Sequence, residues 1–337
     1  MKVSYSRLKS WRRCHRQHFY KYTRNLDRKK KPLALARGSV IHDVFDKIIN
    51  GKAWKPRLEE FRKEFGKLFA EEREQFGDVP HQIERTILNY REHYAHDGLT
   101  YLPGKGKDGK QAKSELAIEV PEFVAGVTLV GYLDAAVQDQ NGKQWVFERK
   151  THGKRIPTEE QRVSDYQTVL YNWAVKHLGM FNPVGVIWDH VRLASDTQPQ
   201  LLKSGKAFSQ NAHQDIDYYT FRDAIRKAKF PEAEYHSFLA DRKGKLSRYF
   251  QRPRVPVSRV MEAQVLDDAR RTAIEIRELS DIETTRSLSF DCSRCNFFSL
   301  CQAELRGLDT DFILKHEYQQ REHDDATENN VEEEAAE

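Results

Sequence analysis

The apolar residues of this chain change their spacing partway along, and this change restricts the fold to a mixed α/β class. Before residue 100 they recur at helical spacing, whereas over residues 116–147 they alternate with polar residues, as they do in half-buried strands. A helix is predicted next, over about 163–178, and then a strand over about 184–193. A meander of strands followed by a helix and another strand predicts an α/β core inside a helical frame.

The predicted elements form one domain followed by an acidic tail. The predicted helices of the first part cover residues 4–20, 37–50 and 56–97. The predicted strands that follow them cover residues 116–120, 127–130, 132–137 and 145–147. The predicted boundaries are 1–316 for the domain, with a helical insertion at about 51–100 and a mostly helical region at about 205–285, and 317–337 for a disordered tail.

Composition excludes several classes of protein. A chain of 337 residues with 39% hydrophobic residues can bury a sizeable core, and four cysteines are too few for a disulfide-stapled mini-protein. No apolar run approaches the roughly 20 residues that a membrane-spanning helix needs. The basic first residues lack the apolar segment of a secretory signal. We therefore expect a cytoplasmic protein without a membrane partner.

Charge is distributed unevenly along the chain. Residues 1–37 contain 13 Lys and Arg against one acidic residue, whereas residues 317–337 contain nine acidic residues and one Arg. A basic body of this kind suits a polyanionic partner such as nucleic acid. Charge alone also permits a plainer interpretation, in which a solvated helix face adjoins a basic loop.

Two short motifs on neighbouring predicted strands carry the candidate chemistry. Asp134 ends a Gly-x-x-Asp motif, and Glu148 and Lys150 form a Glu-x-Lys motif after an intervening turn. Because side chains alternate along a strand, Glu148 and Lys150 should point to one face, which Asp134 could share. Two carboxylates and an ammonium can hold a hard divalent cation and orient a water against a phosphodiester. A lone Glu-x-Lys, however, is more often a solvent-facing pair.

Two further motifs accompany this triad. A Gly-x-x-x-His motif ends at His42 on a predicted helix, and Gln167 and Tyr171 lie one helical turn apart on another. Each also has a structural interpretation. His42 could be a helix histidine hydrogen-bonded to a neighbour, and Tyr171 could belong to the core with Gln167 exposed.

In this order, the four motifs resemble the RecB-like branch of the PD-(D/E)XK nucleases. The opening segment from Ser4 to Cys14 also resembles the start of those nuclease domains. The resemblance covers residues 4–20, 37–45, 115–171 and 290–303, whereas residues 51–114 and 195–285 match nothing that we identify. It implies a restriction-endonuclease-like fold, in which a mixed central sheet is flanked by helices.

The resemblance also implies a metal site. His42, Asp134 and Glu148, together with the backbone carbonyl of Arg149, would bind Mg²⁺ or Mn²⁺. Glu115 falls where the family often has an acidic residue, and its role is left open. The implied activity is metal-dependent DNA hydrolysis, with an exonuclease on single strands or free ends favoured over an endonuclease.

Roles for the remaining motif residues follow from the same resemblance. Lys150 would position or activate the attacking water and offset charge at the scissile phosphate. Gln167 and Tyr171 would contact the DNA strand or brace the site. Any helicase would be a separate partner, and recombination, repair, phage replication and CRISPR adaptation all remain possible pathways.

The four cysteines lie at the two ends of the predicted domain. Cys14 is on the first helix, and Cys292, Cys295 and Cys301 form a C-x2-C-x5-C triplet near the C-terminus. Four thiolates could hold one metal centre that joins the two ends of the chain. The arrangement resembles that of the AddB-type and CRISPR-associated exonucleases and therefore implies a 4Fe-4S cluster, with zinc or four unligated thiols as alternatives.

Two other interpretations compete with a nuclease. Residues 104–111 match the spacing of a Walker A loop but end in Gln, and no clear strand precedes them. We therefore do not expect a nucleotide site there. A non-catalytic DNA-binding or scaffolding module held by its metal cluster also fits the basic and aromatic N-terminal segment, although such a module does not need the triad of Asp134, Glu148 and Lys150. A zinc-stabilised transcription adapter is a third possibility.

Overall fold

The computed structural model describes residues 1–30, 33–153, 155–158, 166–194, 197–280 and 285–321. Within these residues the fold is mixed α/β, with sheets flanked by helices, which confirms the fold class expected from the sequence. No helix in the described part of the chain is both long enough and apolar enough to cross a membrane.

The secondary structure follows the predicted order of elements. The helices are α1 (Tyr5–Arg13), α2 (His15–His18), α3 (Leu33–Ile49), α4 (Lys55–Gly66), α5 (Ala70–Phe76), α6 (Val79–His93), α7 (Tyr166–His177), α8 (Tyr218–Ala228), α9 (His236–Gly244), α10 (Arg259–Leu279), α11 (Phe298–Leu305) and α12 (Asp311–Glu317). The strands are β1 (Lys2–Val3), β2 (Leu26–Arg28), β3 (Thr100–Tyr101), β4 (Gly104–Lys105), β5 (Gln111–Ala112), β6 (Leu116–Val124), β7 (Val127–Leu133), β8 (Ala135–Gln138), β9 (Gln144–His152), β10 (Gly185–Arg192), β11 (Phe250–Gln251), β12 (Arg254–Pro256) and β13 (Tyr318–Gln320).

Two sheets form the centre of the fold. The larger has the strand order β11-β10-β9-β8-β3, with β12 also paired to β10, and the smaller has the order β1-β7-β6. Strands β9 and β10 are parallel, with Glu148 opposite Trp188, whereas β8 runs antiparallel to β9. The chain passes directly from β7 in the smaller sheet to β8 in the larger one, and Asp134 is the residue between them. Asp134 therefore lies where the two sheets meet.

Apolar clusters cover both faces of the larger sheet. On one face, Val146 and Trp188 pack with residues of α1, α7 and α10. On the other, Val191 packs with residues of α3, α4 and α6. Strand β9 is consequently buried over most of its length, as is usual for a central strand with helices on both sides. Its polar residues are thus held within the protein and not on an open surface.

Two predicted helices are divided where the backbone changes direction. The helix predicted over 4–20 is interrupted at Cys14, whose extended φ of −166° separates α1 from α2. The helix predicted over 56–97 forms three helices, α4, α5 and α6. Gly77 ends α5 with a φ of +69°, a left-handed conformation that glycine adopts without a steric penalty.

Other predicted regions match the structure in part. The mostly helical region at about 205–285 also contains the short strands β11 and β12. Residues 163–165 of the helix predicted over 163–178 lie outside the described residues. The Walker-like residues 104–111 form the hairpin β4–β5, so the strand followed by a helix that a P-loop requires is not built there.

The two ends of the described chain pair with each other. Strand β13 runs antiparallel to β2, with Tyr318 opposite Arg28. The first residues of the predicted tail, 317–337, are therefore part of the fold. Residues 322–337 of that tail lie outside the described residues.

Candidate active site

Asp134 is fixed between the sheets by a hydrogen bond to the backbone of β9. Pairing of β8 with β9 begins at Ala135, which lies opposite Phe147. One residue earlier, the Asp134 side chain takes the place of a strand partner, and its Oδ2 accepts a hydrogen bond from the Arg149 N–H at 2.7 Å. Asp134 is only 5% exposed. Its carboxylate is therefore buried beside the residue that separates Glu148 from Lys150.

His42 and Glu115 complete a group of potential metal ligands around Asp134. His42 projects from α3, and its Nδ1 lies 3.6 Å from Asp134 Oδ1. The Glu115 N–H donates to the backbone carbonyl of Asp134 at 3.0 Å, just before β6 begins. One ligand atom from each of the three residues lies within 4.8 Å of the others. Two carboxylates and an imidazole are a suitable donor set for Mg²⁺ or Mn²⁺.

The two carboxylates of this group have pKa values displaced in opposite directions. Burial alone would raise the pKa of Asp134, but the charge and hydrogen bond of His42 and the Arg149 N–H outweigh it and hold the pKa below its usual value. Burial raises the pKa of Glu115, and the nearby Asp134 carboxylate also raises it, against the opposing effect of Lys107. Such a separation of pKa values is common at functional sites.

Glu115 also has a strained backbone. Its φ is +52°, in the left-handed region that residues other than glycine rarely adopt. Strain of this kind is found most often at functional sites, where the surrounding structure enforces it. The side chain is held from the far side by Lys107, whose Nζ lies 2.7 Å from Glu115 Oε2.

Glu148 and Lys150, which lie on β9, form a second group. Both side chains point to the same face of the strand, and Lys150 Nζ lies 3.2 Å from Glu148 Oε1. Lys150 Nζ also donates to Gln167 Oε1 at 3.4 Å. Among the described residues, Glu148 is not part of the group formed by His42, Glu115 and Asp134. The two groups are joined through the Arg149 backbone, which hydrogen-bonds to Asp134.

Helix α7 braces both strands of the site through Gln167 and Tyr171. Gln167 contacts Lys150 on β9, whereas Tyr171 reaches Gly131 on β7. A Cβ added at Gly131 would lie 2.5 Å from the Tyr171 hydroxyl oxygen, so a larger residue would displace the tyrosine. The glycine of the Gly-x-x-Asp motif is therefore required by close packing. Both Gln167 and Tyr171 are buried, which differs from the structural alternative of an exposed glutamine.

The Arg149 side chain points to the opposite face of β9 and enters a buried polar cluster. Its Nε lies 2.8 Å from Asp189 Oδ2, and its guanidinium stacks over the Phe45 ring at 3.9 Å. Asp189 also binds Arg252 Nε at 2.7 Å and accepts a hydrogen bond from the Tyr90 hydroxyl at 2.6 Å. This cluster holds β9 in place on the face opposite Glu148 and Lys150. It also connects β9 to α3, which carries His42.

Sequence reasoning missed Lys107, Asp189 and Arg252. Alternation along β9 contains a signal for Asp189. Because Glu148 faces one side of the strand, Arg149 faces the other side, toward the core, where its charge requires a buried carboxylate. Asp189 is the one acidic residue in the strand predicted over 184–193. We find no comparable local signal for Lys107, since its partner Glu115 is reached through the fold of the hairpin.

The four cysteines are half-buried and line one cavity. The backbone break at Cys14 places this residue against the C-terminal segment, where its Sγ accepts a hydrogen bond from the Ser287 N–H at 3.5 Å. Burial raises the pKa of the Cys295 thiol, and the thiols of Cys14 and Cys301 raise it further. The residues that line the same cavity and carry positive charge are Arg13, Arg16 and Arg286.

Glu304 holds the elements that carry these cysteines together. It accepts hydrogen bonds from Arg16, Tyr20 and Arg286, and it lies 3.4 Å from Arg24 Nη1. Burial alone would raise the pKa of Glu304, but the hydrogen bonds from Tyr20 and Arg16 lower it below its usual value. The carboxylate therefore stays charged and connects the N-terminal segment to α11.

Comparison with known proteins identifies one family. The model described as the PD-(D/E)XK nuclease superfamily matches residues 2–302 of the chain. No curated protein matches it. Solved structures that are similar to the chain include one titled "Crystal structure of SSO0001", with 14% identity, coverage of 80% of this chain and 95% of that chain, and a TM-score of 0.25.

Proposed function

Since the chain belongs to the PD-(D/E)XK nuclease superfamily, we propose that it is a divalent-metal-dependent deoxyribonuclease of the RecB-like branch, acting as an exonuclease on single strands or free ends. The observation that carries the proposal is the arrangement around Arg149. Its N–H binds Asp134, while Glu148 and Lys150 flank it on β9. This brings the ligand group of His42, Glu115 and Asp134 next to a buried ammonium.

His42, Asp134 and Glu148, with Glu115 and the Arg149 carbonyl, are the residues that would hold the metal. A strand residue directs its N–H and C=O to the same side, so the Arg149 carbonyl faces the same gap as the N–H that binds Asp134. A bound Mg²⁺ or Mn²⁺ would supply Lewis acidity toward the scissile phosphate and its attacking water. The donor set of two or three carboxylates, an imidazole and a carbonyl suits either ion.

Lys150 is proposed to orient the attacking water and offset the charge that develops on the phosphate. Its ammonium is buried, and contacts with Glu148 and Gln167 restrict its position. An ammonium in a buried position stabilises negative charge more strongly than one in water, because the local dielectric is lower. Gln167 and Tyr171 would act by positioning Lys150 and β7.

Preference for single strands or ends is supported by the depth of the site. Asp134, Glu148 and Lys150 are 5%, 0% and 6% exposed. A flexible single strand can bend to bring a phosphate to side chains as buried as these, whereas an intact duplex is stiff. We further propose that unwinding, where it is needed, comes from a separate helicase.

Cleavage of end-labelled DNA tests the proposed activity. We expect degradation of single-stranded DNA from its ends with Mg²⁺ or Mn²⁺ and none with excess EDTA. An internally labelled circular single strand distinguishes an exonuclease from an endonuclease, since an exonuclease should leave it intact. Metal-independent cleavage, or no cleavage of any linear DNA with either metal, would contradict the proposal.

We also propose that the four cysteines bind a 4Fe-4S cluster, as in the AddB-type and CRISPR-associated exonucleases that the chain resembles. The support is the common cavity that they line and the contacts of Glu304, which hold both chain ends in place. Tetrahedral zinc has Zn–S bonds of about 2.3 Å, so its thiolates lie within about 4 Å of one another. Among the described residues, the cysteines do not form so close a group. A cluster, whose thiolates bind separate irons, suits the wider arrangement.

Anaerobic purification tests the cluster. We expect brown protein that contains iron and acid-labile sulfide, and we expect Cys295→Ala to lose the colour and to unfold at a lower temperature. Ser293→Ala, in the same exposed turn, is the matched control and should keep the cluster. Colourless protein with bound zinc and full stability would contradict this proposal without affecting the nuclease proposal.

A further inference from the structure

A lysine-rich hairpin lies beside the candidate metal ligands. Strands β4 and β5 are joined by a turn at Gly109, and residues 103–114 contain four lysines and one acidic residue. All four lysine side chains are exposed. They are Lys105, Lys107, Lys110 and Lys113. We call this segment the lysine hairpin, and no motif of the family accounts for it.

The lysine hairpin is fixed to the site at both ends. Lys107 binds Glu115 at 2.7 Å, and its Nζ lies over the Tyr132 ring at 4.8 Å from the ring centroid. Gly106 forms a β-bridge with Leu116, the first residue of β6. The hairpin is therefore held close to the Glu115 carboxylate.

The other end is tied to the C-terminal end of α3. The Lys113 N–H donates to Asn50 Oδ1 at 2.9 Å, and the Asn50 amide donates to Ser114 Oγ at 2.6 Å. Ser114 Oγ in turn donates to Asp46 Oδ1 at 2.6 Å. Because α3 also carries His42, one rigid helix positions both the metal-ligand group and the hairpin.

A cleft of about 250 Å³ lies between the lysine hairpin and α3, and Glu115 is one of the residues that line it. Four acidic residues line the cleft, and each is bound to another group of the protein. Asp108 accepts a hydrogen bond from the Lys110 N–H at 3.0 Å. Asp43 pairs with Arg57 at 2.9 Å, Asp46 binds Ser114, and Glu115 binds Lys107. Lys47 and Lys52 line the cleft, and Lys105, Lys110 and Lys113 are exposed on the adjoining hairpin. None of these five lysines forms an ion pair with a described residue. Asp46 and Asp108 are the acidic residues of the cleft that pair with no described cation, so the hairpin and the facing end of α3 together carry an excess of positive charge.

We propose that the lysine hairpin and the facing end of α3 bind the sugar-phosphate backbone of the DNA strand next to the scissile bond. The proposal rests on the proposed function, because it takes the cleavage site to be at Glu115 and Asp134. A polyanionic strand fits a surface on which five lysines without an ion pair outnumber two such carboxylates, beside the candidate ligand Glu115. Backbone contacts of this kind fix the position of the strand and carry no base preference.

The test is DNA binding by a variant with Lys105, Lys110 and Lys113 all replaced by alanine. Lys107 is left intact, since it contacts Glu115. Fluorescence anisotropy with a labelled single strand is measured in EDTA, so that no cleavage occurs. Loss of three phosphate contacts should weaken binding roughly 10- to 100-fold near 0.1 M salt and reduce the slope of log affinity against log salt by about 2.

The matched control replaces three exposed lysines on other elements by alanine: Lys203, Lys206 and Lys227. Its affinity and salt slope should remain close to those of the wild type. Equal affinities for the hairpin variant and this control would overturn the proposal. Poly-glutamate serves as a competitor, and displacement of DNA by it at equal charge concentration would instead indicate an acidic protein partner, which also overturns it.

The same measurements separate this proposal from the nuclease proposal. If the wild type cleaves DNA and the hairpin variant binds it normally, the lysine hairpin proposal fails alone. If no metal supports cleavage while the variant still loses affinity and salt slope, the proposed activity fails and a DNA-binding hairpin remains.

Discussion

Replacing Lys150 by alanine should reduce the rate of DNA cleavage by about 10²- to 10³-fold or more, while the affinity for DNA stays nearly unchanged. The ammonium is buried between Glu148 and Gln167, at the end of the strand segment that holds Asp134. Arginine should not restore activity, because a planar guanidinium cannot occupy the compact position of an ammonium. Single-turnover cleavage and anisotropy binding, performed on the same preparations, measure the two quantities separately.

Lys143→Ala is the matched control for this prediction. Lys143 is an exposed residue of the β8–β9 turn, at the opposite end of β9 from the candidate site. Thermal unfolding of each variant checks that the fold persists. If Lys150→Ala cleaves DNA at the wild-type rate, the proposed role of Lys150 is wrong. If the wild type binds DNA but does not hydrolyse it, the non-catalytic binding module becomes the better interpretation.

Replacing Asp189 by asparagine should lower the free energy of unfolding by about 3–5 kcal/mol. Asp189 is fully buried between the guanidinium groups of Arg149 and Arg252, and it also accepts the Tyr90 hydroxyl hydrogen bond. Removing its charge leaves two buried cations with less compensation, and the cost of a buried unpaired charge is large. Urea unfolding followed by circular dichroism measures the difference.

The dependence of stability on pH provides a second measurement of the Asp189 prediction. Burial alone would raise the pKa of Asp189, but Arg252 and Arg149 lower it below its usual value. A carboxylate whose pKa is lower in the folded state than in the unfolded state stabilises the fold at pH values above the unfolded pKa of about 3.9. This contribution is lost as the pH falls from there through the lower pKa of the folded state. The difference between wild type and Asp189→Asn should therefore be largest near neutral pH and shrink below about pH 4.

Asp267→Asn is the control, since Asp267 pairs with Arg271 at an exposed position. Exposed pairs contribute about 0–1 kcal/mol, so its effect should be small. A loss for Asp189→Asn no greater than that of the control would contradict the role assigned to the buried cluster. Arg252→Met combined with Asp189→Asn should recover part of the lost stability, because it removes one of the uncompensated cations.

The period of the apolar residues predicted most of the strands and helices, but it could not predict where the chain changes partners. The sequence predicts strands over 127–130 and 132–137, and nothing in it indicates that the chain changes sheets at Asp134. In the structure Asp134 interrupts the second of these strands, because β7 pairs with β1 and β6 whereas β8 pairs with β9 and β3. Sheet membership depends on residues far along the chain, which a local period does not contain.

The candidate site was predictable where it depends on local geometry. Alternation along β9 correctly places Glu148 and Lys150 on one face, and helical spacing places Gln167 and Tyr171 on one side of α7, from which they reach β9 and β7. The approach of Glu115 to His42 and Asp134 was not predictable in this way. It depends on the left-handed backbone at Glu115 and on the hydrogen bond to Asp134, both of which arise from tertiary packing.

The pairing of β2 with β13 has a consequence for biosynthesis. Tyr318 pairs with Arg28 although the two residues lie far apart in the sequence, so this contact cannot form during synthesis until residue 318 has left the ribosome. The segment that carries Cys14 is synthesised long before Cys292, Cys295 and Cys301, with which it shares a cavity, so it lacks these contacts while the sheets and helices are translated. Contacts between residues so far apart in the sequence slow folding. We therefore expect β2 and β13 to pair late, after the nuclease core has formed.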